Sequence, residues 1–188
     1  MQGGENQMPT RLLDDSLNTY PFLFPGEADY FIKLLQKLPN SPRILEIGTF
    51  RGLSSILFAK TRKDAKIITI DNHRGIKRDN GDLLSSYEKV LNNFKLAGVS
   101  NVTHIQVSSQ DYKPEGKFDL LFIDGDHSYK AASFDYKKYS PFVKEGGLVI
   151  FHDYSTFKGV RLVCNSIQTH GNKIRFKSLI IIKKCTRY

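Results

Sequence analysis

Hydrophobic positions along this chain follow two alternating spacings. Short apolar runs recur at 44–47, 120–123 and 148–151, with strand-like stretches of mixed apolar and polar residues at 65–71 and 101–107. Between them, apolar residues recur every three to four positions. Runs of this length suit buried strands, and the longer spacing suits amphipathic helices. The first helix is expected over 27–38, with Phe31, Leu34, Leu35 and Leu38 on its inner face and Glu27 and Asp29 in its first turn, where acids complement the helix dipole. Pro39 and Pro42 stop it. A second helix begins near Leu53 with Ile56 and Leu57. A third covers 83–97, with Leu84, Tyr87, Val90, Leu91 and Phe94 on one face and Gly98 as its cap. A fourth ends near Phe142, followed by a turn at Gly146-Gly147 and a fifth strand. The stretch 157–167 reads as a helix through Val160, Val163, Cys164 and Ile167. Residues 173–177 and 179–184 read as two last strands or one bent strand. Strand and helix thus alternate, which is the pattern of an α/β fold.

The turns between these elements carry the chemistry. Residues 43–52, R-I-L-E-I-G-T-F-R-G, read as strand, glycine turn and helix start. Glycine lets a backbone turn tightly and a ligand approach closely, and the free N–H groups of the next helix face the same place. The turn is G-x-x-x-G, not the G-x-G-x-x-G of a dinucleotide fold, and no G-K-S/T follows, which excludes a phosphate-cradling P-loop. Glu46, close to the strand's end, repels phosphate and attracts a cation. Asp71 ends the second strand, where an acid commonly accepts hydrogen bonds from a ribose diol. Asp124, Asp126 and His127 follow the fourth strand, and His152 and Asp153 follow the fifth. Ligands of open α/β sheets bind beyond the carboxyl ends of the strands, and titratable groups gathered there are solvated, paired or used.

With 188 residues, the chain suits one domain. Residues 1–25 read as a polar tail followed by an aromatic segment packed on the body or closing over it, and 26–188 as the domain itself. Formal net charge is +9, but the basic residues are scattered between 60 and 78, at 137–138 and from 173 to 184. Scattered charge reads as a solubilising surface, so nucleic acid is disfavoured as a partner. No apolar run approaches the ~20 residues of a membrane span, and the start of the chain lacks a signal-peptide pattern. The two cysteines, Cys164 and Cys185, make no disulfide framework or metal spacing, so a cytoplasmic location is expected.

E-I-G-T-F-R-G, 46–52, resembles the first motif of class I S-adenosylmethionine-dependent methyltransferases, especially small-molecule O-methyltransferases. I-D-G-D-H-S-Y at 123–129, the E-G-G turn at 145–147 and F-H-D-Y at 151–154 resemble a bacterial methyltransferase group related to macrocin-type sugar O-methyltransferases and cephalosporin-hydroxylase-like proteins. The resemblance covers about residues 25 to 155. It implies a Rossmann-like seven-stranded methyltransferase sheet, mostly parallel with the last strand antiparallel and helices on both faces. S-adenosyl-L-methionine is the implied cofactor. Its methionine part would lie on Gly48, Thr49, Phe50, Gly52 and Ser54, with Glu46 holding the ammonium. Its ribose would meet Asp71 and Asn72, its adenine Ser108 and Ser109, and Asp124 would close the site.

Catechol-type O-methyltransferases place metal-binding aspartates where Asp124 and Asp153 stand, so Mg²⁺ is an implied second cofactor. Their further Asp or Asn beside the second aspartate is Tyr154 here, a poor magnesium ligand, for which Asp126 is the candidate replacement. Their catalytic lysine corresponds to His127, whereas sugar-modifying relatives point to Asp126 as the base, and the choice stays open. The expected activity is O-methylation of a sugar, phenol or natural-product hydroxyl, with a small-molecule acceptor and a homodimer as the implied partners. The alternatives are an RNA or protein methyltransferase, or a cofactor-binding protein without turnover. The strand-four sequence I-D-G-D lacks an N/D-P-P-Y/F motif, which argues against methylation of base amino groups.

Overall fold

A computed structural model describes Leu23 and residues 26–74, 85–168 and 171–185. Its elements, in chain order, are α1 (Glu27–Gln36), β1 (Arg43–Ile47), α2 (Leu53–Thr61), β2 (Lys66–Asp71), α3 (Tyr87–Ala97), β3 (Val102–Gln106), β4 (Phe118–Ile123), α4 (Tyr129–Tyr139), β5 (Val143–Phe151), α5 (Lys158–Ser166), β6 (Lys173–Phe176) and β7 (Leu179–Lys183). The strands form one seven-stranded sheet in the order β3-β2-β1-β4-β5-β7-β6. β1 pairs in parallel with both β2 and β4, and β7 alone runs against the other six. After β1 the chain builds outward through β2 and β3, then returns to place β4 on the other side. That reversal opens a crevice beyond the ends of β1 and β4, where such sheets bind ligands.

Alternate strand residues face opposite sides of the sheet. Leu45, Ile47, Leu121 and Ile123 pack with Ala132 and Tyr139 of α4 and Val160 and Val163 of α5. Ile44, Leu120, Phe122 and Ile150 pack on the other side with Phe31 and Leu35 of α1 and Leu57 and Phe58 of α2. Both faces are covered, so the central strands read as near-continuous apolar runs, interrupted by Glu46 in β1 and Asp119 in β4. Phe31, Phe58 and Phe122 meet as a trio with ring centroids 5.2 to 5.5 Å apart. At the rear edge, Asp119 accepts hydrogen bonds from the Arg43 N–H and from Lys144 Nζ at 2.8 and 2.9 Å, tying β4 to its two neighbours.

Several expected boundaries shift for local reasons. The described part of the third helix begins at Tyr87, where Ser86 caps it by accepting from Lys89 N–H. Leu84 and the expected loop after Arg74 lie outside the described residues, as does the segment before Gly26 except Leu23. Leu91 is 43% exposed, because the helical repeat aligns Val90 with Phe94 and rotates Leu91 off that stripe. α4 ends at Tyr139, and a 3₁₀ turn over Ser140–Phe142 replaces its expected last turn at Pro141. Gly146-Gly147 is not a turn ahead of β5 but a bulge within it: Phe118 pairs with Val143, yet Leu120 pairs with Leu148. The extra residues are held by Lys184, whose carbonyl accepts from Gly146 N–H at 2.8 Å and whose N–H donates to Gly147 O at 2.9 Å. β6 and β7 are two strands joined through Lys177, which takes a left-handed φ of 54°.

Candidate active site

A cavity of about 1090 Å³ opens where the ends of β1, β2, β4 and β5 meet. Its floor is the turn after β1. Gly48 has φ 94°, and a Cβ there would stand 2.1 Å from the Asp124 carbonyl oxygen, so only glycine lets the ends of β1 and β4 approach this closely. Gly48 N–H donates to Ile70 O and Asp124 N–H donates to Ile47 O, which locks the ends of three strands together. Asp71 then braces the turn. Its Oδ2 accepts from Phe50 N–H at 2.8 Å and its Oδ1 from His73 N–H at 2.7 Å.

The opposite wall carries two imidazoles among carboxylates. His127 Nε2 lies 3.1 Å from Asp153 Oδ2 and 3.5 Å from Asp124 Oδ1. The atom is buried, and its contacts are ionic without the alignment of a hydrogen bond. Phe157 stacks on the ring, with centroids 4.2 Å apart. His152 Nδ1 lies 3.3 Å from Asp124 Oδ1 and 3.5 Å from Asp153 Oδ2, while its Nε2 lies 3.2 Å from Glu27 Oε2. Burial opposes charging His152, but hydrogen bonds to Asp124, Asp153 and Glu27 overcome this and raise its pKa to about 12. His127 is governed by a similar contest between burial and its pairing with the Asp124 and Asp153 carboxylates, and rises to about 9. Burial alone would raise the pKa of Asp153, but its two imidazole partners hold it well below the usual carboxylate range.

Asp124, His152 and Asp153 bring one donor atom each within 4.8 Å of one another. Separations of 3.3 and 3.5 Å from His152 Nδ1 to the two carboxylates approach those of neighbouring ligands around a small divalent cation. The buried Nε2 of His127 lies beside them, 3.1 Å from Asp153 Oδ2, without an aligned hydrogen-bond partner. This donor set fits a divalent cation.

Residues 45–154 match the methyltransferase-domain family. The chain belongs to this family. An uncharacterised protein of Acanthamoeba polyphaga mimivirus is 34% identical over 122 residues, covering 61% of this chain and 52% of that protein. A caffeoyl-CoA O-methyltransferase of Populus kitakamiensis is 29% identical over 167 residues, covering 79% of this chain and 63% of that enzyme. The chain thus spans between 52% and 63% of the length of these relatives. The structure of the O-methyltransferase NovP superposes with a TM-score of 0.73 at 18% identity, over 85% of this chain and 80% of that one, which is a likeness of fold.

Within this methyltransferase domain, Gly48, Thr49, Phe50, Ser54, Asp71, Asn72, Ser109, Asp124, Asp126, His127 and Asp153 all line the cavity. Glu46, Gly52 and Ser108 do not line it. Glu46 faces α2, where it is fully buried and accepts hydrogen bonds from Ser54, Ser55 and Thr69. Burial raises its pKa to about 7 against the effect of those bonds. Gly52 instead admits α3: a Cβ there would stand 2.4 Å from the Phe94 ring. Ser108 Oγ donates to Asp111 Oδ2 in a tight turn. Asp126 Oδ1 accepts from Ser128 N–H at 2.8 Å, and Tyr154 turns away to donate to Asn165 at 3.0 Å. The nitrogen donor His152 therefore completes the three-atom group, in the place where sequence reasoning had looked to Asp126.

Three further features were not anticipated. Glu27 reaches the cluster from α1. Asp135 of α4 lines the cavity with its Oδ1 unpaired, and burial raises its pKa to about 6. A buried relay runs behind the glycine turn, from Thr69 and Thr49 through His104 to His73, whose Nε2 lies 2.8 Å from that of His104. In sequence, His73 and His104 were isolated histidines with no spacing to join them, and Asp135 was one polar position on a helix.

Proposed function

We propose that this domain transfers a methyl group from S-adenosylmethionine to a hydroxyl oxygen of a small molecule, assisted by a divalent cation. The observation that carries the reading is the shared cavity, with the glycine turn and Asp71 on one side and the Asp124–His127–His152–Asp153 cluster on the other. The sulfonium of the cofactor supplies a methyl that is already electrophilic, so the protein's task is alignment and removal of the acceptor's proton. The turn at Gly48 admits the methionine part. Each Asp71 oxygen has one backbone donor and keeps lone-pair capacity for a ribose hydroxyl. Ser109 and the unpaired Asp135 Oδ1 offer polar atoms to the base. Glu46 acts from behind the wall by holding Ser54, which lines the cavity.

Asp124, His152 and Asp153 would hold the cation, whose Lewis acidity lowers the pKa of an acceptor hydroxyl. His127 Nε2 is the proton acceptor in this reading. Paired with two carboxylates it is protonated near neutral pH, and positive charge placed in the cluster opposes that protonation. The engagement of Asp126 with Ser128 supports His127 as the base. Calorimetric titration with S-adenosylmethionine and S-adenosylhomocysteine, with and without divalent cations, tests the reading. Micromolar binding of either is expected. Folded protein that binds neither overturns it.

A further inference from the structure

Glu27 is the first residue of α1, a position where an acid ordinarily stays in water and complements the helix dipole. Here its side chain is fully buried. Taking a carboxylate out of water is expensive unless both oxygens find partners. Glu27 Oε1 accepts from Ser178 N–H at 2.8 Å and Ser178 Oγ–H at 2.7 Å, in the turn between β6 and β7. Oε2 faces His152 Nε2 at 3.2 Å. One oxygen anchors the carboxylate and the other holds an imidazole.

The imidazole stands between Glu27 and the cluster. With Nε2 at Glu27, Nδ1 points to Asp124 and Asp153. Asp153 has φ 59°, a left-handed conformation uncommon for a residue other than glycine, and its carboxylate lies within 3.5 Å of both imidazoles. A carboxylate that takes the N–H of one ring nitrogen leaves the other nitrogen's lone pair available to a metal and fixes the ring's orientation. Mg²⁺ favours all-oxygen shells, whereas imidazole nitrogen suits first-row transition metals.

We propose that Glu27 is a positioning residue that turns His152 Nδ1 toward Asp124 and Asp153, so that the cluster presents one nitrogen and two carboxylates and takes a cation of the Mn²⁺ class ahead of Mg²⁺. This rests on the reading of a divalent cation at that cluster. The sequence places Glu27 and His152 125 residues apart, and the contact arises because β7 lies beside β5 and brings the Ser178 turn to the end of the sheet.

The experiment is cation binding to chelator-stripped protein, read by the loss of free Mn²⁺ signal in electron paramagnetic resonance and by competition with Mg²⁺. Wild-type protein is expected to bind Mn²⁺ at least about tenfold more tightly than Mg²⁺. In Glu27→Gln the amide oxygen still accepts from Ser178 while the NH₂ donates to His152 Nε2, which leaves the proton on Nδ1. Mn²⁺ affinity is then expected to fall about 10- to 100-fold, with S-adenosylhomocysteine affinity unchanged. His152→Asn, which puts an amide oxygen near the place of Nδ1, should abolish the preference for Mn²⁺ over Mg²⁺ and serves if Glu27→Gln does not fold. Equal Mn²⁺ affinity in Glu27→Gln and wild type, or no Mn²⁺ preference in wild type, overturns the proposal while leaving the cation site standing. Wild-type protein that binds neither cation overturns the cation site as well, and leaves cofactor binding to be judged by calorimetry.

Discussion

Glu46 is a buried acid held by three hydroxyls, and its folded-state pKa is raised from 4.5 to about 7. Between those values the folded protein holds a proton that the unfolded chain has released. Stability is therefore greatest below about pH 4.5 from this group and falls as pH rises to about 7, by about 3 kcal/mol at ~1.4 kcal/mol per pKa unit. Glu46→Gln removes the titration. Its melting temperature relative to wild type is expected to rise on going from pH 5 to pH 8, and a constant difference in thermal melts would contradict this. At His127 the expectation concerns rate. With an acceptor in hand, His127→Ala should lower kcat by about 10²- to 10⁴-fold, the usual worth of a general base, without changing S-adenosylhomocysteine affinity. Unchanged turnover would transfer the role to Asp126. Of these residues, His127 stood out in the sequence because it follows a buried strand with two acids beside it. The burial of Glu46 did not, since its three hydroxyl donors come from α2 and β2.

The unit of β1, turn and α2 shows why one glycine differs from another. At Gly48 an added Cβ meets backbone at 2.1 Å, whereas at Gly98, with φ 64°, it meets nothing within 4 Å. Gly98→Ala is expected to lose about 1 kcal/mol from left-handed strain alone. Gly48→Ala should lose several times as much and also abolish cofactor binding, because β1 and β4 must separate. Chemical denaturation of the two variants, side by side, checks the ranking, and similar losses would refute it. The glycines of the first turn were legible because they stand between an apolar run and a helical repeat. The pair Gly146-Gly147 was misleading for the same reason: glycine marks a bulge as readily as a turn, and only the pairing of β5 with β4 and β7 distinguishes them.

At the scale of the whole molecule, the sheet order turns a list of strand ends into a cavity. The net charge of +9 does not reorganise that picture, although Arg51 and Arg74 line the cavity and add positive potential to it. No helix among the described residues is long and apolar enough to cross a membrane. By itself the sequence determined the α/β alternation, the glycine turn and the acids and imidazoles at four strand ends, because side-chain period and turn chemistry are local properties of a chain. Tertiary structure alone decided which of those groups share a site. In the sequence Glu27 reads as an acid complementing the helix dipole, and His152 as part of the repeated acid-and-imidazole pattern at the ends of two strands. They meet because β7 lies beside β5 and α1 packs under the Ser178 turn, and a contact made across 125 residues depends on how the sheet closes, which no local pattern encodes.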